Sequence, residues 1–162
     1  MRMNYILGLV LGLSWPFSNA QLVLPDVKPA RTIIDPAMVI QFGGQKLEVL
    51  QNIRAVRQES GAYSVVNSDA SENIGKNKLG VAYSYAIGSN IIFNGEISIK
   101  MKSGNTSASL GGTGSGLKLL IPPDIYVKIV DTPQDLVKWV NLLQAQPSVE
   151  WVEPFTIRAR IN

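Results

Sequence analysis

From residue 96 to residue 102, within a strand read as 92–102, apolar and polar positions alternate, with Ile97, Ile99 and Met101 on one side of the pattern and Glu96, Ser98, Lys100 and Lys102 on the other. A period of two marks a β-strand with one face buried and one wet. The alternation returns over 125–130, and the apolar run 117–121 precedes it across Pro122-Pro123-Asp124, so these two runs are predicted to pair as a hairpin. At Thr132 the period changes. Thr132 is an N-cap residue, Pro133 occupies the first helical position, where its missing N–H costs nothing, and Asp135 lies three residues after the cap. Leu136, Trp139, Val140 and Leu143 then fall at i, i+3, i+4 and i+7, a helical stripe that Pro147 brings to an end. Residues 149–152 are predicted to begin a last strand.

The pattern before residue 91 is less regular. Apolar runs at 38–42 and 46–50 flank Gly43-Gly44, which fits two strands around a tight turn. Residues 51–58 suit either a helical turn or a continuation of the strand, and the strand is preferred. The runs 62–66 and 79–87 are predicted strands on either side of a polar loop at 67–78, and Gly88-Ser89-Asn90 closes this mainly β region. Residues 103–116 are dominated by Gly, Ser and Thr, so little fixed structure is expected beyond a helical turn at 108–110. Summed, the C-terminal order is strand, degenerate crossover, strand, strand, helix, strand. That order predicts an α+β chain whose C-terminal part is a ferredoxin-like split β-α-β pair, an antiparallel sheet backed by one main helix with its first helix shortened or lost.

The first twenty residues carry one positive charge at Arg2, an apolar run from Tyr5 to Leu13 and the small residues Ser18-Asn19-Ala20, which is the plan of a removable signal peptide. The run is short of the roughly 20 residues a bilayer core demands, so no membrane association is expected after its removal. Removal leaves 142 residues, with 14 basic against 12 acidic side chains. The expected divisions are a signal peptide at 1–20, an extended Pro-containing arm at 21–37, the mainly β region at 38–90, the helix-backed region at 91–155 and a C-terminal tail at 156–162. Export of a chain without a single Cys points to a periplasmic or extracellular protein of bacterial type.

The chain has neither Cys nor His. That removes Ser-His-Asp and Cys-His nucleophilic sites, thiolate–imidazole zinc sites and disulfides, and neither a cofactor nor a metal is expected. The whole chain carries a formal charge of +3, with its charges interspersed rather than gathered into a basic stripe, so nucleic acid is not an expected partner. Ser115 and Lys118 have the S-x-x-K spacing, but in a Gly-rich loop rather than at a helix start. Gly111 to Gly116 lacks the Lys that a phosphate-binding loop requires, and Asn105-Thr106-Ser107 is a glycosylation spacing without meaning in a bacterium. Asp69 and Glu72, beside Asn67 and Asn73, do not follow an EF-hand spacing and read as a solvated loop. Trp139 is expected in the core. Trp151, bracketed by Glu150 and Glu153, suits core and interface equally.

The stretch from Asp131-Thr132-Pro133 through Leu143, followed by Gln146-Pro147-Ser148-Val149-Glu150-Trp151-Val152-Glu153-Pro154-Phe155, resembles the closing helix and strand of subtilisin-type protease propeptides. With Gly95 to Lys100 and the hairpin, the likeness covers about residues 91–162. The given chain stops where a protease domain would begin, so it resembles a stand-alone propeptide. The narrower likeness is to the external chaperones that accompany kexin-like bacterial serine proteases of the Aeromonas type, which also carry a region before their propeptide-like half. The resemblance implies a secreted chaperone, not an enzyme, that assists the folding of a subtilisin/kexin-like serine protease and then inhibits it. It implies that Glu150, Trp151 and Glu153 meet the partner, the carboxylates capping helix N-termini on the protease. It also implies that Thr156, Ile157, Arg158, Ala159, Arg160, Ile161 and Asn162 lie in the substrate cleft as an added strand. Two other classes fit the residues: a dedicated periplasmic protease inhibitor without a folding role, and a β-rich exported structural protein.

Overall fold

The computed structural model describes residues 38–75 and 78–157. The expected signal peptide, the expected arm at 21–37 and Arg158, Ala159, Arg160, Ile161 and Asn162 lie outside the described residues. The fold is α+β: eight strands form one mostly antiparallel sheet, and a helix covers part of one face. The strands are β1 (Val39–Phe42), β2 (Gln45–Arg57), β3 (Tyr63–Asn67), β4 (Lys78–Ser84), β5 (Ser89–Met101), β6 (Lys118–Ile121), β7 (Ile125–Ile129) and β8 (Val149–Ile157), with α1 (Pro133–Gln144) between β7 and β8.

β5 is the axis of the sheet. Along one edge it pairs first with β4, through residues 89–93, and then with β7, through residues 96–100; β8 runs along its other edge. The handover from β4 to β7 falls at Gly95, whose φ of +84° suits glycine and whose carbonyl accepts from the Val130 N–H at 2.9 Å. β6 pairs with β7, giving the order β8-β5-β7-β6 in the C-terminal half. On the other side β4 pairs with β2, and β2 carries β1 and β3 on its outer edge. The sheet therefore runs without a break across residues 90 and 91.

The alternation read in β5 is the alternation of burial: Ile97, Ile99 and Met101 are fully buried, while Glu96, Ser98 and Lys100 are half-exposed. The buried row meets Leu136, Val140 and Leu143 of α1, each completely enclosed. Burial of this kind stabilises by about 1.5–3 kcal/mol per side chain. The cap has the expected form, with the Asp135 N–H donating to Thr132 Oγ1 at 3.1 Å and the Thr132 hydroxyl donating to Asp135 Oδ2 at 2.8 Å. Trp139 packs on the edge of this core, and the Lys128 ammonium lies 3.7 Å from its ring centroid. Burial pushes the Lys128 pKa down, with Asp135 opposing, and the amine donates to the Ser115 carbonyl at 3.1 Å.

A smaller cluster, Leu50, Ala55, Leu79, Val81 and Ile92, forms around the N-terminal part of the sheet, with Tyr63, Val65 and Ile157 against it. Beside it Arg54 is wholly buried at an irregularity of β2 and donates to the carbonyls of Gln51, Ile53, Asp69 and Glu72, fastening the 68–75 loop to the strand. The Glu72 carboxylate accepts from Lys78 and Ser68, which hold its pKa below the usual carboxylate range. Of the side chains weighed for calcium, Asp69 accepts from Ser71 and Glu72 from Ser68 and Lys78, and among the described residues no group of three metal-type side chains is assembled.

Four sequence expectations need correction. The strand expected at 79–87 ends at Ser84, because residues 85–88 are the turn that joins β4 to β5. The helical turn expected at 108–110 is there but is part of a longer 3-10 segment, Ser107–Gly114, kinked at Gly111, whose Leu110 enters the main core. The last strand begins at Val149 as expected but runs past the boundary set at 155 to Ile157, since Pro154 sits where its missing N–H removes no bond to β5. Thr156 and Ile157, expected in a free tail, therefore pair with Phe93 and Ile92.

Two measurements probe this framework. Gly80 lies opposite Phe93, and a Cβ there would stand 2.1 Å from the buried ring. Gly80→Ala should cost about 1–3 kcal/mol, and a double-mutant cycle with Phe93→Leu should show coupling of about 1 kcal/mol or more; additive costs in urea denaturation would contradict the contact. The Tyr85 hydroxyl donates to the Glu48 carboxylate, which together with burial and the Glu48 charge pushes its pKa up to about 12. The fold thus favours the neutral phenol. Its contribution is complete below the unfolded value of about 10 and is lost as pH rises towards 12, so Tyr85→Phe should flatten the fall in denaturation midpoint over that window.

Candidate protein-binding face

Residues opposite one another in an antiparallel pair share a face. The registers therefore place Trp151, Lys100, Ile125 and Ile121 in one row across β8, β5, β7 and β6, and Glu153, Ser98, Val127 and Lys118 in the next; Glu96 and Ile129 begin a third. These rows lie on the side of the sheet away from α1. No described element covers them. Ile129 is 58% exposed and Ile121 53% exposed, and Leu119 and Leu120 on the same edge strand are equally open. Lys100 is tied down within the face by Asp124, with Nζ to Oδ2 at 3.1 Å.

The charge on this face is graded. Glu150 and Glu153 are exposed along β8, the apolar side chains of β7 and β6 fill the middle and far side, and Lys118 stands at the β6 edge. Glu150 is set apart by an irregularity: Lys100 pairs with Trp151 and Met101 with Val149, so β8 has one residue more than β5 there and Glu150 bulges outward. Trp151 is half-buried against its strand neighbours rather than in the core beneath α1. An apolar surface rimmed by charge is a candidate site for another macromolecule.

Of the sequence-derived site residues, the structure brings Glu150, Trp151 and Glu153 together on β8. It places Thr156 and Ile157 in the sheet, with Ile157 against the smaller core cluster. The sequence reading missed Ile121, Ile125 and Ile129. A signal was present: residues 125–130 are apolar at both parities except for Lys128, and a strand with one wet face should not be. Lys128 and Tyr126 face the helix, which leaves the three isoleucines outside. Of the Ser115 and Lys118 pair, Lys118 is an exposed strand residue; the amine that reaches Ser115 is that of Lys128, and it takes the carbonyl rather than the hydroxyl.

Among the described residues no helix is long and apolar enough to cross a membrane. No family model matches the chain, and no curated protein or solved structure matches it.

If the outer face is free in the folded chain, Ile129→Ser should change stability by less than about 0.5 kcal/mol, whereas Ile97→Ser, one residue from it across the sheet, should cost several times more. A comparable loss for both in urea denaturation would mean that Ile129 is covered.

Proposed function

We propose that this protein is a secreted intermolecular chaperone of a subtilisin/kexin-like serine protease, that it inhibits the enzyme once folded, and that it performs no reaction of its own. The observation that carries the reading is the outer face of β8-β5-β7-β6, apolar at its centre and acidic along β8, over which no other described element packs. The antiparallel order β8-β5-β7-β6, with a helical connection between β7 and β8 and a 3-10 helix between β5 and β6, supports a ferredoxin-like propeptide arrangement with a degenerate first helix.

A protease fold built on parallel strands pairs distant segments, so its folding barrier is high and its partly folded chain is prone to aggregate. A preformed sheet face lowers that barrier by holding two helices of the enzyme in their final relation. Glu150 and Glu153 meet the orphan N–H groups at the starts of those helices, and Ile121, Ile125 and Ile129 cover their apolar sides. Arg158 to Asn162, directly after β8, supply the segment that occupies the substrate cleft.

The test is to refold a subtilisin/kexin-like protease lacking its own propeptide with and without this protein and to assay recovered activity. A raised yield is expected, with a smaller gain for Ile129→Asp; equal yields with and without the protein contradict a folding role and leave at most an inhibitor. Truncation after Ile157 should keep the yield and weaken inhibition at least tenfold, and an unchanged inhibition constant contradicts the placement of the tail.

A further inference from the structure

A cleft of about 410 Å³ lies between the start of β8 and the β1–β2 turn, away from the centre of the outer face. Val149 to Glu153 form one wall, Gln41 and Gly43 to Lys46 the other, and Gln144 from the end of α1 also lines it. Both walls are sheet edges. Among the described strands β8 pairs only with β5, and β1 only with β2.

Hydrogen-bond parity shows which backbone groups face the cleft. The Met101 N–H donates to the Asp124 carbonyl on the β7 side, while the Lys102 N–H donates to the Ser148 carbonyl on the β8 side. Even-numbered residues of this part of β5 therefore turn their backbone groups towards β8, and their partners Trp151 and Glu153 return the bonds. Val152, between them, is 3% exposed and turns its N–H and C=O away from β5, to the side on which it lines the cleft. On the opposite wall the Gln41 carbonyl is turned away from β2, and the Gln144 side-chain amide donates to it at 2.6 Å. That amide occupies the position an N–H of an added strand would take. Gly43 and Gly44 carry no side chain, and nothing lies within 4 Å of where a Cβ would be, so the turn leaves the entrance open.

We infer that this cleft receives one extended segment of a partner polypeptide, which adds to β8 at Val152 and places a basic side chain between the Glu150 and Glu153 carboxylates. Backbone pairing supplies the affinity and the two carboxylates supply the preference. Lys46 on the far wall sets the direction of the charge gradient and disfavours a basic side chain there. The inference does not depend on the partner being a protease.

The test uses the whole protein and a fluorescein-labelled octapeptide of alternating valine and arginine, read by fluorescence anisotropy. Binding is expected to fall at least tenfold when glutamate replaces arginine in the peptide, and equally for the Glu150→Lys/Glu153→Lys protein, whose two changes lie on exposed side chains. Two further peptides, N-methylated at odd or at even residues, need no protein variant; at least one should lose binding tenfold. The inference is overturned if both N-methylated peptides bind like the parent, if the charge reversals leave binding unchanged, or if the parent peptide does not bind. It is equally overturned if sedimentation shows a dimer of this chain that the peptide does not displace.

Discussion

The structure depends on the burial of one row of side chains. Ile97, Ile99 and Met101 of β5 must be covered, and the Thr132–Pro133 cap starts α1 at the place from which Leu136, Val140 and Leu143 reach them. Because β5 also pairs with β4, β7 and β8, fixing its inner face fixes the register of all three neighbours. A slip of one residue would turn Ile97, Ile99 and Met101 to water and Glu96, Ser98 and Lys100 under the helix. The outer face is the other side of the same constraint: α1 packs on one side of the sheet, and among the described residues no element packs over Ile121 and Ile129 on the other.

The parts that were legible from the sequence are those in which local pattern and tertiary demand agree. The alternation through Met101 and the Thr132, Pro133 and Asp135 cap are each contained within a few residues, and both fold as read. The misreadings have local causes too. Ala86 and Ile87 extend an apolar run, yet the chain turns there because β4 must return to pair with β5, a demand set by contacts outside the run. Gly and Ser hid the extent of the 3-10 segment beyond the turn at 108–110; it is held by an apolar anchor, Leu110, and by Lys128 reaching Ser115 from β7. Pro154 lies inside β8, and only the pairing partner shows that its missing N–H faces away from β5.

The candidate site was half legible. Glu150, Trp151 and Glu153 are contiguous, so any reading of β8 as a strand presents them together. The isoleucines of β6 and β7 join them only through the strand order, which no local pattern records. The cleft depends on longer-range placement still: it brings residues 41–46 beside residues 149–153, held by the Gln144–Gln41 hydrogen bond. The two surfaces meet at β8, where Glu150, Trp151 and Glu153 border both and Val152 lines the cleft, so a protein partner at one would lie next to the other.

On the proposed function, the side of β8-β5-β7-β6 away from α1 recognises the fold of a protease. Isoleucine methyl NMR of this protein, titrated with a catalytically inactivated subtilisin/kexin-like protease, tests it most directly. The account predicts shifts or broadening at Ile121, Ile125 and Ile129, with Ile53 and Ile87 unmoved. Perturbation confined to Ile53 and Ile87, or none at stoichiometric protease, would contradict it.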